Sequence, residues 1–254
     1  MRQKFEPLTD SQWQVIAEFL PLQRKRTLDL RQVVDAIRWL NETGSQWRNL
    51  PDSFPPWNAV YYYFRRWRHD GTLRKMNIGL NILRRHQVKK ESMPSLVCID
   101  SQSVKLAPFV SEERGVDAHK RINGRKRQVL VDTLGLVWGV VVHAANGSDS
   151  IYGGVVIKEI LDVLQRVKKI LVDKGYEGEF FEVAEQDVGV IPEVSSKPPT
   201  AKGFVPVKWR WVNERTFGWF NFFRRLSKDY ERTAESSENW ILWANCQMNL
   251  AKLE

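Results

Sequence analysis

Two apolar runs in this 254-residue chain end on an aspartate: Leu96-Val97-Cys98-Ile99-Asp100 and Ile170-Leu171-Val172-Asp173. A third acid, Glu214, stands in a stretch of helical period, residues 209–228. There it shares a face with Arg210 one turn back and with Arg225 further on. Three carboxylates in one place repel each other, and isolation from water would raise some of their pKa values. Divalent cations remove that penalty. Oxygen ligands suit Mg2+ or Mn2+, and no Cys/His cluster asks for zinc. Two such ions about 3.5–4 Å apart would activate an attacking oxygen and stabilise a leaving one during in-line displacement at phosphorus. The expected catalytic and metal site is therefore Asp100, Asp173 and Glu214, with two Mg2+ or Mn2+ ions. Each acid also has a plainer reading, because an aspartate closing an apolar strand is usually a turn or cap residue. Asp132, in Asp-Thr-Leu-Gly, reads as a turn former. Asp149 reads as helping to start the helix that follows it. His119 and His143 have no motif around them that would make either an acid/base catalyst.

The elements that must bring the acids together follow from the pattern around them. Residues 96–100 predict a buried strand, 105–127 a long loop, and 128–131 with 136–142 a hairpin about Asp132–Gly135. Ser150 can cap a helix running to about Val167, with Val156, Ile160, Leu164 and Val167 inward. Residues 170–173 predict a strand, 178–187 a short helix, and 188–194 a strand that Pro192 restricts to an edge. A Pro/Lys/Gly segment precedes the Glu214 helix, and a last helix spans about 235–252. This order is mixed α/β. The crossover helix lets the strand ending at Asp173 lie parallel to the one ending at Asp100. Both acids then emerge at carboxyl ends, where open α/β sheets build their sites.

The first 92 residues read differently. Thr9-Asp10-Ser11-Gln12 resembles a capping box opening a helix that Pro21 stops; a second helix carries Val33, Val34, Ile37 and Leu40, and Thr43-Gly44 ends it. A third, Trp57 to about His69, turns Val60, Phe64 and Trp67 inward and carries Arg65, Arg66 and Arg68 elsewhere on its surface; a connector helix follows over about 72–87. These 92 residues hold 17 Lys/Arg against 9 Asp/Glu, which places most of the net charge of +9 in this third of the chain. Such a surplus suits a polyanion-binding, helix-turn-helix-like module, or else a helical bundle whose arginines meet solvent. Cys98 and Cys246 read as buried thiols in a reducing compartment. No apolar run reaches the roughly 18 residues of a membrane span, and no signal-peptide pattern opens the chain, so a cytoplasmic location is expected.

Taken together, these residues resemble a DDE transposase of the insertion sequence five family. The resemblance runs through Leu8-Thr9-Asp10-Ser11-Gln12-Trp13, residues 44–51, and Phe54-Pro55-Pro56-Trp57 with Tyr63-Phe64-Arg65-Arg66-Trp67. It continues through residues 99–105, Gly124-Arg125-Lys126-Arg127, residues 130–136 and Asp173-Lys174-Gly175-Tyr176. Glu214-Arg215-Thr216-Phe217-Gly218-Trp219 and residues 224–230 complete it. It implies an RNase H-like mixed sheet flanked by helices (93–254), preceded by a small all-helical, DNA-binding domain (1–92). It also implies a bacterial, nucleoid-associated enzyme that cuts double-stranded DNA at the terminal inverted repeats of a mobile element and joins the 3′ ends to target DNA. A homodimer on DNA is expected, because two element ends must be held together. Asp100, Asp173 and Glu214 fall on the family's metal-binding triad. Arg210 matches the arginine of a tyrosine-arginine-glutamate-lysine signature whose tyrosine and lysine positions hold Val207 and Asn221 here. Val116 and His119 stand where the family has an aromatic residue and a glycine. Beside Arg65, Arg66, Arg68 and Arg210, the expected DNA contacts are Lys105, Lys120, Arg125, Lys126, Arg127, Arg215, Arg224, Arg225 and Lys228. Two alternatives stay open: a nuclease of the same fold without strand transfer, and a transposase-derived DNA-binding protein without catalysis.

Overall fold

In the computed structural model, residues 5–22, 28–195 and 211–253 are described. The long strand β1 (Leu96–Lys105) organises the sheet. Along one edge it pairs antiparallel with β3 (Ile122–Asp132), and along the other it runs parallel to β5 (Lys169–Val172). The far edge of β3 is shared by β2 (Gly115–Asp117) at residues 122–124 and β4 (Val137–Ala144) at residues 125–131. A short parallel strand β6 (Glu193–Val194) closes the other side beside β5. Three antiparallel strands continued by two parallel ones, with helices on both faces, form the RNase H-like arrangement.

Strand alternation sorts the core into two layers. Val97, Ile99, Leu130, Ile170 and Val172 pack with α5 (Asp149–Glu159) and α6 (Glu179–Val183) on one face. Cys98, Val129, Val131 and Leu171 pack on the other with α7 (Trp211–Phe220) and α8 (Ala234–Leu250). The N-terminal helices α1 (Asp10–Ala17), α2 (Leu30–Thr43), α3 (Trp57–His69) and α4 (Thr72–Gln87) join this second layer. Trp67 meets Trp243 and Phe64 meets Trp240, at centroid distances of 6.0 and 4.5 Å. The helical third thus shares a continuous apolar core with α8 and the sheet.

Local chemistry accounts for most boundaries. Thr9 and Gln12 complete the capping box of α1, and Gly44, at φ 68°, ends α2. The helices expected over 57–69, 72–87 and 235–252 stand within two residues of those bounds. Elsewhere the pattern misled. β1 runs past its expected end at Asp100 to Lys105, and β2 and the start of β3 at Ile122 lie inside the loop expected over 105–127. Those segments, Ser101–Val104 and Ile122–Arg127, are rich in polar side chains, so no apolar alternation announced them. Ser150 is not a cap: α5 starts at Asp149, and the Ser150 hydroxyl accepts from the Phe180 N–H at 2.9 Å. α5 also stops at Glu159, and a 3-10 turn over Leu161–Val163 carries the buried residues onward. The strand expected over 188–194 shrinks to two residues, because a π turn occupies 184–188 and Gly189, at φ 72°, turns the chain.

Candidate active site

The register of β1 against β5 sets the site. Val97 lies opposite Ile170 and Cys98 opposite Leu171, so two residues further along each chain Asp100 stands level with Asp173. Period-two alternation puts both on the face of Cys98 and Leu171, the α7 side. One cleft is lined by Asp100, Asp173, Cys98, Leu171, Ser195 and Asn213, together with Ile99 and Val172. Asp173 caps its own turn, Oδ1 accepting from the Gly175 N–H at 2.8 Å, and Asp100 Oδ1 accepts from the Ser101 N–H at 2.7 Å. Both aspartates are half-buried. Beneath them, burial pushes the Cys98 thiol up to about 12, and the charges of Asp132 and Asp100 add to the shift. That thiol is inert at neutral pH.

α7 approaches the same cleft through Asn213. Its Nδ2 donates to the Val129 carbonyl at 3.1 Å, and Val129 is the register partner of Asp100 on β3. Thr216, one turn on, donates to the Gly135 carbonyl at 3.2 Å, so two polar side chains dock the helix on the sheet. Glu214 follows directly but is exposed and does not line the cleft. Among the described residues no three His, Cys, Asp or Glu side chains gather closely enough to hold a metal ion. The structure therefore brings two of the three expected carboxylates together and leaves the third exposed on α7, outside the cleft lining. The donor set still suits a hard cation. Two carboxylates share the cleft with Asn213, whose Oδ1 is buried and has no hydrogen-bond partner among the described residues. Arg210 and Val207 lie outside the described residues.

A buried polar chain on the opposite face holds the Asp173 turn. Tyr176 is fully buried and donates its hydroxyl to Gln128 Oε1. Burial, followed by the charges of Asp100, Asp149 and Asp173, holds its phenol protonated. Gln128 Nε2 donates to Asp149 Oδ1 at 2.7 Å, and Lys126 Nζ reaches the same oxygen at 3.1 Å. His143 closes the set: its Nδ1 meets the Ala144 carbonyl at 2.8 Å and its Nε2 meets Gln128 Nε2 at 3.2 Å. An N–H on Nδ1 leaves Nε2 as acceptor, which is the neutral tautomer. Burial lowers the His143 pKa to about 4, in agreement. Asp149 does start its helix, but it also orients Gln128, a role the sequence did not announce. Gln128, Tyr176 and Asn213 were likewise missed. All three lay in stretches already singled out, Tyr176 directly after Gly175 and Asn213 directly before Glu214, but none carried a signal of its own.

The expected DNA contacts divide by burial. Arg125, Arg127 and Arg225 are buried and committed within the protein, which sets them apart from the other expected phosphate contacts. Arg125 donates to the carbonyls of Glu112, Glu231 and Arg232 at 2.7–3.1 Å. Arg127 donates to the Leu226 carbonyl at 2.8 Å, and Arg225 pairs with Glu231 at 2.7 Å over the Trp240 ring. Lys126 is the Asp149 partner, and Arg68 pairs with Glu238 at 2.9 Å. Lys105, Lys120, Arg65 and Arg224 are exposed; Arg66, Arg215 and Lys228 are half-buried. Arg66 reaches Tyr62 and Asp70, and Arg215 lies between the Trp211 and Trp219 rings at 4.3 and 4.7 Å. Asp132 behaves as the turn former expected, accepting from the Leu134 N–H at 2.8 Å and pairing with buried Arg85.

Comparison with known proteins gives two family matches. Residues 8–77 match the model described as "Putative transposase of IS4/5 family (DUF4096)", and residues 91–249, more than half the chain, match "Transposase DDE domain". A protein of Burkholderia cepacia named "Putative transposase for insertion sequence element IS402" is 33% identical over 119 residues, 44% of this chain and 56% of that one. An uncharacterized protein, y4sN, of Sinorhizobium fredii (strain NBRC 101917 / NGR234) is 33% identical over 73 residues, 27% of this chain and 58% of its own. The chain thus spans little more than half the length of these curated relatives.

Proposed function

The chain belongs to the family of transposases with a DDE domain, and from that premise we propose that it cuts DNA at the terminal inverted repeats of an insertion sequence and joins the freed 3′ ends to target DNA. The observation that carries this reading is the level placement of Asp100 and Asp173 on one cleft, just past the point where the parallel pairing of β1 with β5 ends. Asp100 and Asp173 would hold two Mg2+ or Mn2+ ions between them. Glu214, adjacent to the cleft-lining Asn213, would be the third carboxylate, drawn in when DNA binds. When bound, the ions supply an activated attacking oxygen and a stabilised leaving oxygen.

In the first step a water oxygen attacks the phosphorus at the element end. The P–O3′ bond breaks, and the 3′ oxygen takes a proton and leaves as a hydroxyl. In the second, that hydroxyl attacks a target phosphodiester and displaces its 3′ oxygen; no bond to the protein forms. The chain's own part is positioning. β1 and β5 hold the two aspartates level, and α7, docked through Asn213 and Thr216, sets the approach of Glu214. Exposed Arg65, Lys105, Lys120 and Arg224, with Arg66, Arg215 and Lys228, would meet phosphates of the duplex. No helix among the described residues is long and apolar enough to cross a membrane, and we place the protein on DNA in a bacterial cytoplasm, as a homodimer holding two ends.

The test is strand transfer of a pre-cut element end in Mg2+. The wild type should join it, and Asp100→Asn should lose nicking and joining while retaining end binding. Cutting without joining would identify a nuclease, and binding without either reaction a DNA-binding derivative.

A further inference from the structure

Asn213 is 2% exposed, yet only one end of its carboxamide is satisfied. The Nδ2 end is fixed as donor, because its partner, the Val129 carbonyl, can only accept. The orphan is therefore the Oδ1 end, on a side chain that lines the cleft with Asp100 and Asp173. A buried acceptor left without a partner costs about 1–3 kcal/mol, so that oxygen calls for a donor or a cation. The groups sharing its cleft narrow the choice. Both aspartates are acceptors when ionised, and neither can donate to it. Cys98 stays protonated but is a weak donor, and Ser195 already donates its hydroxyl to the Val172 carbonyl at 2.9 Å. A hard divalent cation takes carboxylate and amide oxygens in one coordination sphere, and so satisfies all three groups at once.

We propose that Asn213 is an oxygen ligand of the cation site, contributing its Oδ1 beside the carboxylates of Asp100 and Asp173. The proposal rests on the metal reading of those two aspartates and adds a ligand from α7 that already lines their cleft. It gives α7 two functions one residue apart: a neutral oxygen already seated in the cleft, and the Glu214 carboxylate outside it. A neutral ligand also fits the electrostatics, because a third buried charge would repel the two aspartates whenever the ion is away.

The test is Mn2+ binding to the full chain without DNA, read from the electron paramagnetic resonance signal of free Mn2+. Asn213→Leu removes the oxygen, and Asn213→Asp keeps an oxygen but loses the N–H donor to Val129. If Asn213 were only an anchor for α7, both variants would lose the same hydrogen bond and bind Mn2+ alike. As a ligand, Asn213→Leu should weaken Mn2+ about tenfold or more, the scale seen when groups around a metal are removed. Asn213→Asp should bind at least as tightly as the wild type. Equal affinity in both variants overturns the proposal. Should Asn213→Leu fail to melt cooperatively, Asn213→Asp decides: weaker binding than wild type overturns the ligand role. Asp100→Asn separates the two levels. Mn2+ held undiminished by Asp100→Asn removes the metal reading and this ligand with it, whereas its loss there with no effect at Asn213 removes only the ligand.

Discussion

The edge of the β1–β5 pairing and the first half of β3 both carry charge inside one sheet, and they use it in opposite ways. Asp100 and Asp173 sit half-buried at a cleft, where Asp100 accepts from the Ser101 N–H and Asp173 from the Gly175 N–H. On β3, Arg125 and Lys126 point to opposite faces and are closed off by protein. Arg125 is surrounded by carbonyl oxygens of the segments at Glu112 and 231–233, and Lys126 by Asp149 and the Gly147 carbonyl. The difference lies in hydrogen-bond capacity. An arginine has five donors in a fixed fork, and when carbonyls take them nothing remains for a phosphate. A carboxylate has no donor to commit and offers about four lone-pair sites to donors or to a cation. Charge at the cleft thus lines an open site, while charge on β3 holds the fold.

Removing a strut should break that contrast most visibly. Arg125→Met strands the carbonyls and leaves Asp229, 1% exposed and 3.4 Å from the guanidinium, without its cation. Loss of one partner from a buried pair costs about 3–5 kcal/mol. Chemical denaturation should show that loss, or no cooperative transition at all. Asp173→Asn, at the other region, should melt close to the wild type. A stable Arg125→Met with weakened DNA binding would mean that the guanidinium faces DNA after all.

The same contrast explains what was legible. Asp100 and Asp173 were readable because each closes an apolar run, and parallel strands with a helical crossover place such ends together. The helices were readable from capping and period, as at Thr9 and Gly44. The polar ends of β1 and β3 were not, since hydrophobic alternation is silent where Ser103 faces Asp117 and Arg125 faces carbonyls. Burial of a basic run cannot be read from composition: Gly124-Arg125-Lys126-Arg127 looks like a phosphate clamp until the segments that enclose it are placed. Asn213 was hidden for a related reason, because an amide beside a conspicuous glutamate carries no charge to notice. Exposure of Glu214 depends on the rotation of α7, which its neighbours decide.

A medium-sized effect should come from the polar chain behind the cleft. The folded-state pKa of His143 is about 4 against an ordinary 6.5, because burial disfavours the imidazolium. Between those values the unfolded chain binds a proton that the folded chain refuses. Stability is therefore complete above about pH 6.5 and falls as pH drops toward 4, by up to about 3 kcal/mol. Urea unfolding at pH 7 and pH 4.5 should show this loss, and His143→Gln should show a smaller difference between the two pH values. An equal loss in both proteins would place the titrating group elsewhere.

The smallest effect on stability belongs to a residue that differs from its neighbour only in direction. Arg225 is buried against Glu231, the Ser45 carbonyl and the Trp240 ring; Arg224, one position earlier, is exposed. Arg224→Ala should change unfolding free energy by no more than about 0.5 kcal/mol, as surface substitutions usually do. Its DNA affinity should fall uniformly across sequences, and the slope of log affinity against log salt should flatten by about one phosphate contact. Arg225→Ala should do the reverse, losing stability with an unchanged slope in whatever fraction stays folded. If the two variants exchange these behaviours, burial is the wrong criterion for sorting this chain's cations, and the β3 arginines return to the list of DNA contacts.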